Sequence, residues 1–299
     1  DEVQAVSCGT MATVNMGGID QYGHRFGIHF MDPMMSGFGA YDGADGYDVG
    51  GSYSTPIPNV ANVESNEFLS PMLYLHRRLQ ADTAGAGQWR GGLAASMAFT
   101  AHGVKETEAL IMTHGLEVPN SAGLFGGFPG SCVRQRLCTG SDLLEHQTKG
   151  DMPMGIEELH GTSQELDSKP GLTPMRPGDV FETSWQGGGG FGDPLARDPA
   201  SVAHDLTMGH LSEKFAANIY GVVLSAHGEV DEVATLHKRS SIKAARLATA
   251  KSPAIQHAGS MECDRAIGGA LFFGRKNGQR WFGCSCGQPL APSSGAWRS

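Results

Sequence analysis

Two cysteines one residue apart, in Cys284-Ser285-Cys286-Gly287, are the residues whose type and spacing most directly suggest chemistry. A Cys-x-Cys-Gly knuckle can aim two thiolates at one zinc while the glycine relieves the turn, and a structural zinc needs four ligands. Cys263 and His257 are the upstream donors within reach, and neither makes a standard pair. Further ligands are therefore expected beyond Ser299 or on another chain. A disulfide between Cys284 and Cys286 would close a strained small ring, so zinc suits the pair better.

The run Gly187 to Gly192 formally matches G-x-G-x-x-G through Gly187, Gly189 and Gly192. A dinucleotide fingerprint needs a helix opening straight from that loop. Here Asp193-Pro194 follows, the helix starts later, and no Gly-Lys-Ser/Thr offers a phosphate loop. The run reads instead as a turn that lets two backbones, or a substrate, come close. Gly37, Gly39, Gly43 and Gly46 with Asp42 and Asp45 form an acidic loop that lacks the spacing of a calcium hand, so it reads as a structural turn. The twelve histidines include no His-x-x-x-His or His-Glu-x-x-His. His24 and His29, near Asp20 and Asp32, read as satisfied histidines, and nothing local activates Cys8 or Cys132 as nucleophiles.

The elements that must carry these residues follow from pattern. Phe26, Ile28 and Phe30 alternate as in a half-buried strand. Extended segments are expected around Leu73, Leu75 and Leu79, through Ala98 to His102, and through Val180 to Thr183. Residues 36–46 and 82–92 read as glycine-rich loops, and 116–178 as irregular chain. Asp198 with Pro199, then Ser212 with Gly221, frame two short helices, and 232–250 a third. Aromatic strands are expected near Phe272-Phe273 and Trp281-Phe282. The expected fold class is α+β: a β-rich glycine-loop domain over residues 1–197, a helical segment over 198–250, and a zinc-knuckle-like tail over 251–299.

Composition supports a folded chain. Of 299 residues, 40 % are hydrophobic and 18 % charged, enough to bury a core. A net charge of −9 without any Lys/Arg run argues against nucleic acid. No apolar stretch reaches bilayer length. The Asp1-Glu2-Val3 start has no signal-peptide pattern and no initiator Met, which suggests processing, truncation or residues upstream. Six scattered cysteines are too few for a disulfide scaffold, so reduced thiols and a cytoplasmic setting are expected.

Four stretches in order resemble the hydantoinase B family. They are Gly37-Phe38-Gly39-Ala40 with Asp45-Gly46; Asp82 through Gly92; Gly123-Leu124-Phe125-Gly126-Gly127-Phe128-Pro129-Gly130; and Pro177-Gly178-Asp179 leading to Gly187 through Pro199, then Tyr220-Gly221-Val222-Val223-Leu224. The likeness covers roughly residues 10–250. It implies half of a subunit whose full-length members are about twice this long, with a His/Asp metal cluster in the half not present here. Such members act with a hydantoinase A-like partner that binds ATP, so ATP and Mg or Mn are expected on that partner or on the N-terminal half.

Pro58 to Glu64 and Leu73 to Leu79 look closer to ketone carboxylase subunits, and the usual Thr-Asn-Thr-Arg-Asn-Thr-Pro run is absent. The tail around Cys284 and Cys286 resembles the zinc knuckle of small acetone carboxylase subunits. The resemblance therefore implies an acetone- or acetophenone-type carboxylase, in which ATP activates a ketone as an enol phosphate and bicarbonate as carboxyphosphate to give a 3-oxo acid. The alternatives are ATP-dependent opening of a cyclic amide, as in hydantoinases and 5-oxoprolinases, and a non-catalytic assembly subunit. No catalytic residue is identified. Glycines 37, 39, 189, 190 and 192 with Asp42, Asp45 and Asp193 are the expected loops near substrate or anionic intermediate, through backbone N–H groups.

Overall fold

The structure is a computed structural model that describes residues 3–7, 13–30, 35–52, 55–56, 62–225, 227–250, 261–268, 271–284 and 287–294. It divides into two compact units, residues 1–243 and 244–299.

In the first unit, β1 (Thr13–Ile19) and β2 (Arg25–Phe30) form a hairpin, followed by the short ladder of β3 (Gly51–Ser52) and β4 (Thr55–Pro56). Then come α1 (Val63–Leu69), β5 (Met72–Leu79), β6 (Ala95–Ala101), β7 (Thr107–Met112), β8 (Arg134–Thr139) and α2 (Leu143–Thr148). The unit continues through β9 (Thr162–Glu165), β10 (Gly171–Met175), β11 (Val180–Ser184), α3 (Pro199–Thr207) and α4 (Glu213–Phe215), and it ends within α5 (Glu232–Thr249), at residue 243. Two antiparallel sheets result, in the orders β10-β7-β1-β2 and β5-β6-β11-β8-β9. Their facing sides share one core. Val14, Met16, Phe30, Ile111 and Met175 of one sheet meet Tyr74, Met97, Phe99, Leu137 and Phe181 of the other. Phe99 sits at the centre, its ring 5.6 Å from Phe30 and 5.5 Å from Phe181.

The alternation read from Phe26, Ile28 and Phe30 is the inward face of β2. The expected strand at Val180 is central, paired to both β6 and β8. Segment 116–178 departs from the irregular chain expected of it, since it supplies β8, β9, β10 and α2. Its alternation is hidden because β8 turns the polar Gln135 inward beside Leu137. Pro174 lies on β10, and β10 is an edge strand, where a missing N–H interrupts no ladder.

The helices begin as their caps dictate. Asp198 accepts from Ala200 N at 3.0 Å with Pro199 at the first turn, and Ser212 accepts from Phe215 N at 3.2 Å. A single π-helical turn, Ala216–Tyr220, then ends at Gly221, whose φ is +63°. These helices are not a separate layer, as a boundary at residue 198 would require. Val202, Ala216, Tyr220 and Val222 share a core with Ala86, because a short amphipathic helix gains most of its stability by burying its apolar face.

In the second unit, β12 (Glu262–Gly268), β13 (Leu271–Lys276), β14 (Gln279–Cys284) and β15 (Pro289–Pro292) make an antiparallel meander. Asn277 and Gly278, with φ of +52° and +78°, turn the β13–β14 hairpin as that dipeptide commonly does.

Candidate functional site

The glycine stretches converge. The N–H groups of Gly187 and Gly190 reach Ser131 Oγ at 3.3 Å and Phe128 O at 2.9 Å. Those of Gly188 and Phe191 reach Gly92 O and Trp89 O, both at 2.9 Å. Those of Gly189 and Gly192 reach Val6 O at 2.9 Å and Leu124 O at 3.0 Å. Gly187 and Gly190 thus share the 128–131 segment, and Gly188 and Phe191 the 89–92 segment, with no bond inside the run, so the chain runs here as an extended rod bonded only to its neighbours. Its carbonyls are used as well: Gly85 N, Ala40 N and Leu124 N donate to the oxygens of residues 188, 189 and 190 at 2.8, 2.9 and 2.9 Å. The segments read as loops are a core of main chain packed on main chain.

This corrects the expectation that these glycines present N–H groups to an anion. Gly37 N donates to Gln186 O at 3.1 Å and Gly39 N to Ser7 Oγ at 3.1 Å. With the bonds of residues 187–192 above, Gly37, Gly39, Gly189, Gly190 and Gly192 have no N–H to spare. A Cβ on Gly39 would stand 1.7 Å from Ala5 O, and one on Gly190 would stand 2.2 Å from Ala86 O. Glycine is required there for backbone approach, with no space left for a ligand. Asp42 is exposed on the turn closed by the Tyr41–Ala44 bridge. Asp193 Oδ1 accepts from Leu195 N at 2.9 Å and caps the turn that follows.

Asp45 belongs to a different structure. At one edge of the glycine core, Arg197 grips Asp45 with two bonds of 2.7 Å and reaches Asp205 Oδ2 at 2.9 Å. Arg90 meets Asp48 Oδ1 at 2.8 Å and Asp205 Oδ1 at 3.1 Å. The carboxylates also hold main chain: Asp45 Oδ1 accepts from Arg90 N at 2.8 Å, and Asp48 Oδ1 from Leu93 N at 2.7 Å. Arg239 on α5 closes the assembly by donating to Arg197 O at 2.7 Å and Tyr220 O at 2.9 Å. Side-chain exposure is 4 % for Arg197 and 5 % for Asp205, so these charges are held away from water. Burial disfavours the charged form of Arg197, yet its pKa stays above the ordinary arginine value because Asp45 and Asp205 surround it. Burial lifts the pKa of the Tyr220 phenol well above its ordinary value.

A cleft of about 400 Å³ opens over this network, lined by Asp45, Arg90, Arg197, Ser201, His204, Asp205 and His210. The arginine and aspartate groups are engaged with one another, so the arrangement clamps segments 45–48, 88–93 and α3 together. Sequence reasoning missed this network. Arg90 and Arg197 stood within the family-like runs, but Arg90 meets Asp48 42 residues away and Arg197 meets Asp45 152 residues away.

The remaining candidates are dispersed. His24 lies in the β1–β2 turn 3.8 Å from Asp20, and His29 Nδ1 is 2.7 Å from Asn15 Oδ1. Asp32 and Cys8 lie outside the described residues. Burial pushes the Cys132 thiol up, away from a reactive thiolate. For zinc, Cys286 and His257 lie outside the described residues. Cys263 pairs in register with Gly274, and Cys284 with Leu271 on the same strand. Three residues along and two strands across put the two cysteines roughly 14 Å apart, so Cys263 cannot share a metal with Cys284. No group of three or more potential metal ligands converges among the described residues. No helix among them is long and apolar enough to cross a membrane.

Comparison with known proteins gives these features a family. The acetone carboxylase alpha subunit of Xanthobacter autotrophicus is 28 % identical over 83 % of this chain and 34 % of its own length. The acetophenone carboxylase delta subunit of Aromatoleum aromaticum is 29 % identical over 68 % of this chain and 32 % of its own. The caprolactamase beta subunit of Pseudomonas jessenii is 27 % identical over 70 % and 33 %. Among solved structures, nucleotide-free acetone carboxylase superposes with a TM-score of 0.71 at 28 % identity, covering 81 % of this chain and 34 % of that one. The ATP-dependent caprolactamase of Pseudomonas jessenii shares the fold, with a TM-score of 0.64 at 24 % identity. The chain spans about a third of the length of these relatives, not the half expected from the sequence. The pattern of the hydantoinase B/oxoprolinase family matches residues 1–194, and the chain belongs to that family.

Proposed function

We propose that this chain forms the glycine-cored C-terminal part of the large subunit of a multi-subunit, ATP-dependent ketone carboxylase that makes a 3-oxo acid from a ketone and bicarbonate. The observation that carries the reading is extent. The likeness to the acetone carboxylase alpha subunit covers 83 % of the chain, against 70 % for the caprolactamase subunit, and the superposition on acetone carboxylase is the better one, with a TM-score of 0.71 against 0.64. The described residues contribute a rigid wall. A core whose main chain is hydrogen-bonded on every side holds its shape without a ligand, and its closed packing helps exclude water from intermediates that hydrolyse readily. ATP and its Mg or Mn belong to a hydantoinase A-like partner or to the rest of the large subunit. Cys284 with Cys286 remains the candidate half of a structural zinc site.

The test is the complex as it purifies from its native source. ATP-dependent fixation of labelled bicarbonate into acid-labile 3-oxo acid, with acetone or acetophenone as acceptor, is the expected result. ATP-dependent opening of a lactam or hydantoin without bicarbonate fixation would overturn it. That second reading is favoured by the caprolactamase likeness. Activity unchanged after this chain is removed would leave only an assembly role.

A further inference from the structure

One rung of the second sheet carries charge along its outer side. His76 on β5 pairs with Ala98 on β6, Ala98 with Glu182 on β11, and Glu182 with Arg136 on β8. The next residues along three of these strands, Phe99, Phe181 and Leu137, face the shared core, so alternation sends the rung to the opposite side. Ala98 contributes only a methyl between His76 and Glu182.

Residues 150–160 lie over this rung as a strap. The ends are tied to α2 and its cap. Asp151 Oδ2 is 2.7 Å from His146 Nδ1, and Asp142 meets both N and Nδ1 of His160 at 2.9 Å. The middle is tied to the rung. Ile156 N donates to Glu182 Oε2 at 3.3 Å, and Arg136 reaches from Glu182 to Glu157 Oε1, the latter at 2.6 Å. Ile156 and Leu159 pack with Leu75, Ala98 and Val180 beneath. The strands β6 and β11 are laddered on both sides, whereas the strap hangs on these few ties, so the strap is the part that can yield.

Under the strap His76 is 7 % exposed. Its Nε2 is 3.3 Å from Ser96 Oγ, while Nδ1 is buried without a bond of good geometry and the Met154 main chain faces the ring. The charged groups around it are Arg78 on its own strand, Glu182 from β11 and Glu157 from the strap. Burial, then Arg78, holds its pKa below the ordinary histidine value, and the two carboxylates with the Met154 main chain offset this only in part. Water reaching the ring removes the largest of these causes.

We propose that residues 150–160 form an acid-released cover, which lifts from the rung when His76 takes up a proton while both sheets stay folded. The open form binds the proton more tightly, so opening gains as pH falls below about 6.5. An ordinary histidine goes from about one-tenth to about nine-tenths protonated between pH 7.5 and 5.5, which caps the gain at about tenfold. Arg78 stays beside the ring in the open form, so about three- to tenfold is expected. Glu157 is not the source: burial works against its charge, but its own main chain and Arg136 keep its pKa below the ordinary glutamate value, so it stays ionised across this range.

The test is hydrogen exchange on the full chain in its native complex at pH 7.5 and 5.5, read as protection factors so that the intrinsic pH dependence of exchange drops out. Protection at 154–159 should fall about three- to tenfold at pH 5.5, while the amides of Phe99 and Phe181 keep theirs. His76→Gln should make strap protection equal at the two pH values. His146→Gln/His160→Gln, which loosens the tied ends, should leave the pH response in place. Strap protection that ignores pH, that falls together with β6 and β11, or that responds undiminished in His76→Gln would each overturn the proposal. Should His76→Gln fail to fold, the wild-type comparison and the double variant still decide, since loss of the response in the double variant would assign it to His146 and His160 instead.

Discussion

Replacing Gly188 by alanine tests the main-chain core most directly. A Cβ there would stand 1.9 Å from Phe38 O, 2.2 Å from Phe38 C and 2.7 Å from Gly39 N, all main-chain atoms that no rotamer change can clear. Reaching ordinary contact needs roughly 1.5 Å of displacement. Three bonds hold the two residues in place: Gly188 N to Gly92 O at 2.9 Å, Gly85 N to Gly188 O at 2.8 Å, and Gly92 N to Phe38 O at 2.7 Å. A buried polar group left unpaired costs about 1–3 kcal/mol, so three broken bonds cost about 3–9 kcal/mol. The smaller unfolded-state entropy of alanine returns only about 0.4–1 kcal/mol. Set against the roughly 5–15 kcal/mol of a whole domain, Gly188→Ala should remove most of the stability. Gly27→Ala is the internal control. It lies on β2 with nothing within 4 Å of the added carbon, and it should change stability by less than about 0.5 kcal/mol. Urea unfolding followed by circular dichroism measures both. A loss under about 1 kcal/mol for Gly188→Ala, or equal losses for the two, would refute the claim that backbone contact is what requires glycine.

Arg197→Met should cost about 3–5 kcal/mol in the same assay, because it leaves the buried Asp205 with Arg90 as its remaining charged partner and releases the partly exposed Asp45; a loss below 1 kcal/mol would show the network to be decorative. Phe125 occupies a left-handed conformation, φ +51°, at the first corner of a turn continued by Gly126 at +95°, and is 73 % exposed. Phe125→Asn should therefore raise urea stability by about 0.5–1 kcal/mol, and a clear loss would mean that its ring contact with Phe191 outweighs the strain. Burial, and then Arg78, lower the pKa of His76 below the ordinary histidine value. The unfolded chain thus binds the proton first, so His76 subtracts stability as pH falls below about 6.5. His76→Gln should make the difference in stability between pH 7.5 and 5.5 smaller than in wild type, and an unchanged difference would argue against that role. Elemental analysis of the native complex should find zinc that is lost in Cys284→Ser; full retention of zinc would discard the knuckle.

What was legible in the sequence was what neighbours in sequence decide. The caps at Asp198 and Ser212 and the alternation in β2 need only a few adjacent residues. The turn at Pro177-Gly178-Asp179 is of the same kind, with Asp179 Oδ2 accepting from Arg176 N at 2.9 Å. Long-range structure was not legible. Glycine carries no side chain to show which way it faces, so a loop and a tightly packed rod read alike at residues 187–192. The identity of β8 was masked by an inward Gln135, whose amide donates to the main-chain oxygen of Asp167. The charged cleft was invisible because Asp45 and Arg197 look like surface residues until the fold brings them together.

A core made of peptide groups has thermal consequences that an oily core does not. Exposing apolar surface on unfolding raises heat capacity, whereas exposing peptide groups lowers it. When the rod at 187–192 and its neighbours come apart, they hydrate amides more than methyl groups. The unfolding heat capacity of this chain should therefore fall below the usual value of about 12–15 cal/mol/K per residue, and its stability curve should be flatter, with less weakening in the cold. Urea, which solvates peptide groups directly, should dismantle this region before the aromatic core around Phe99.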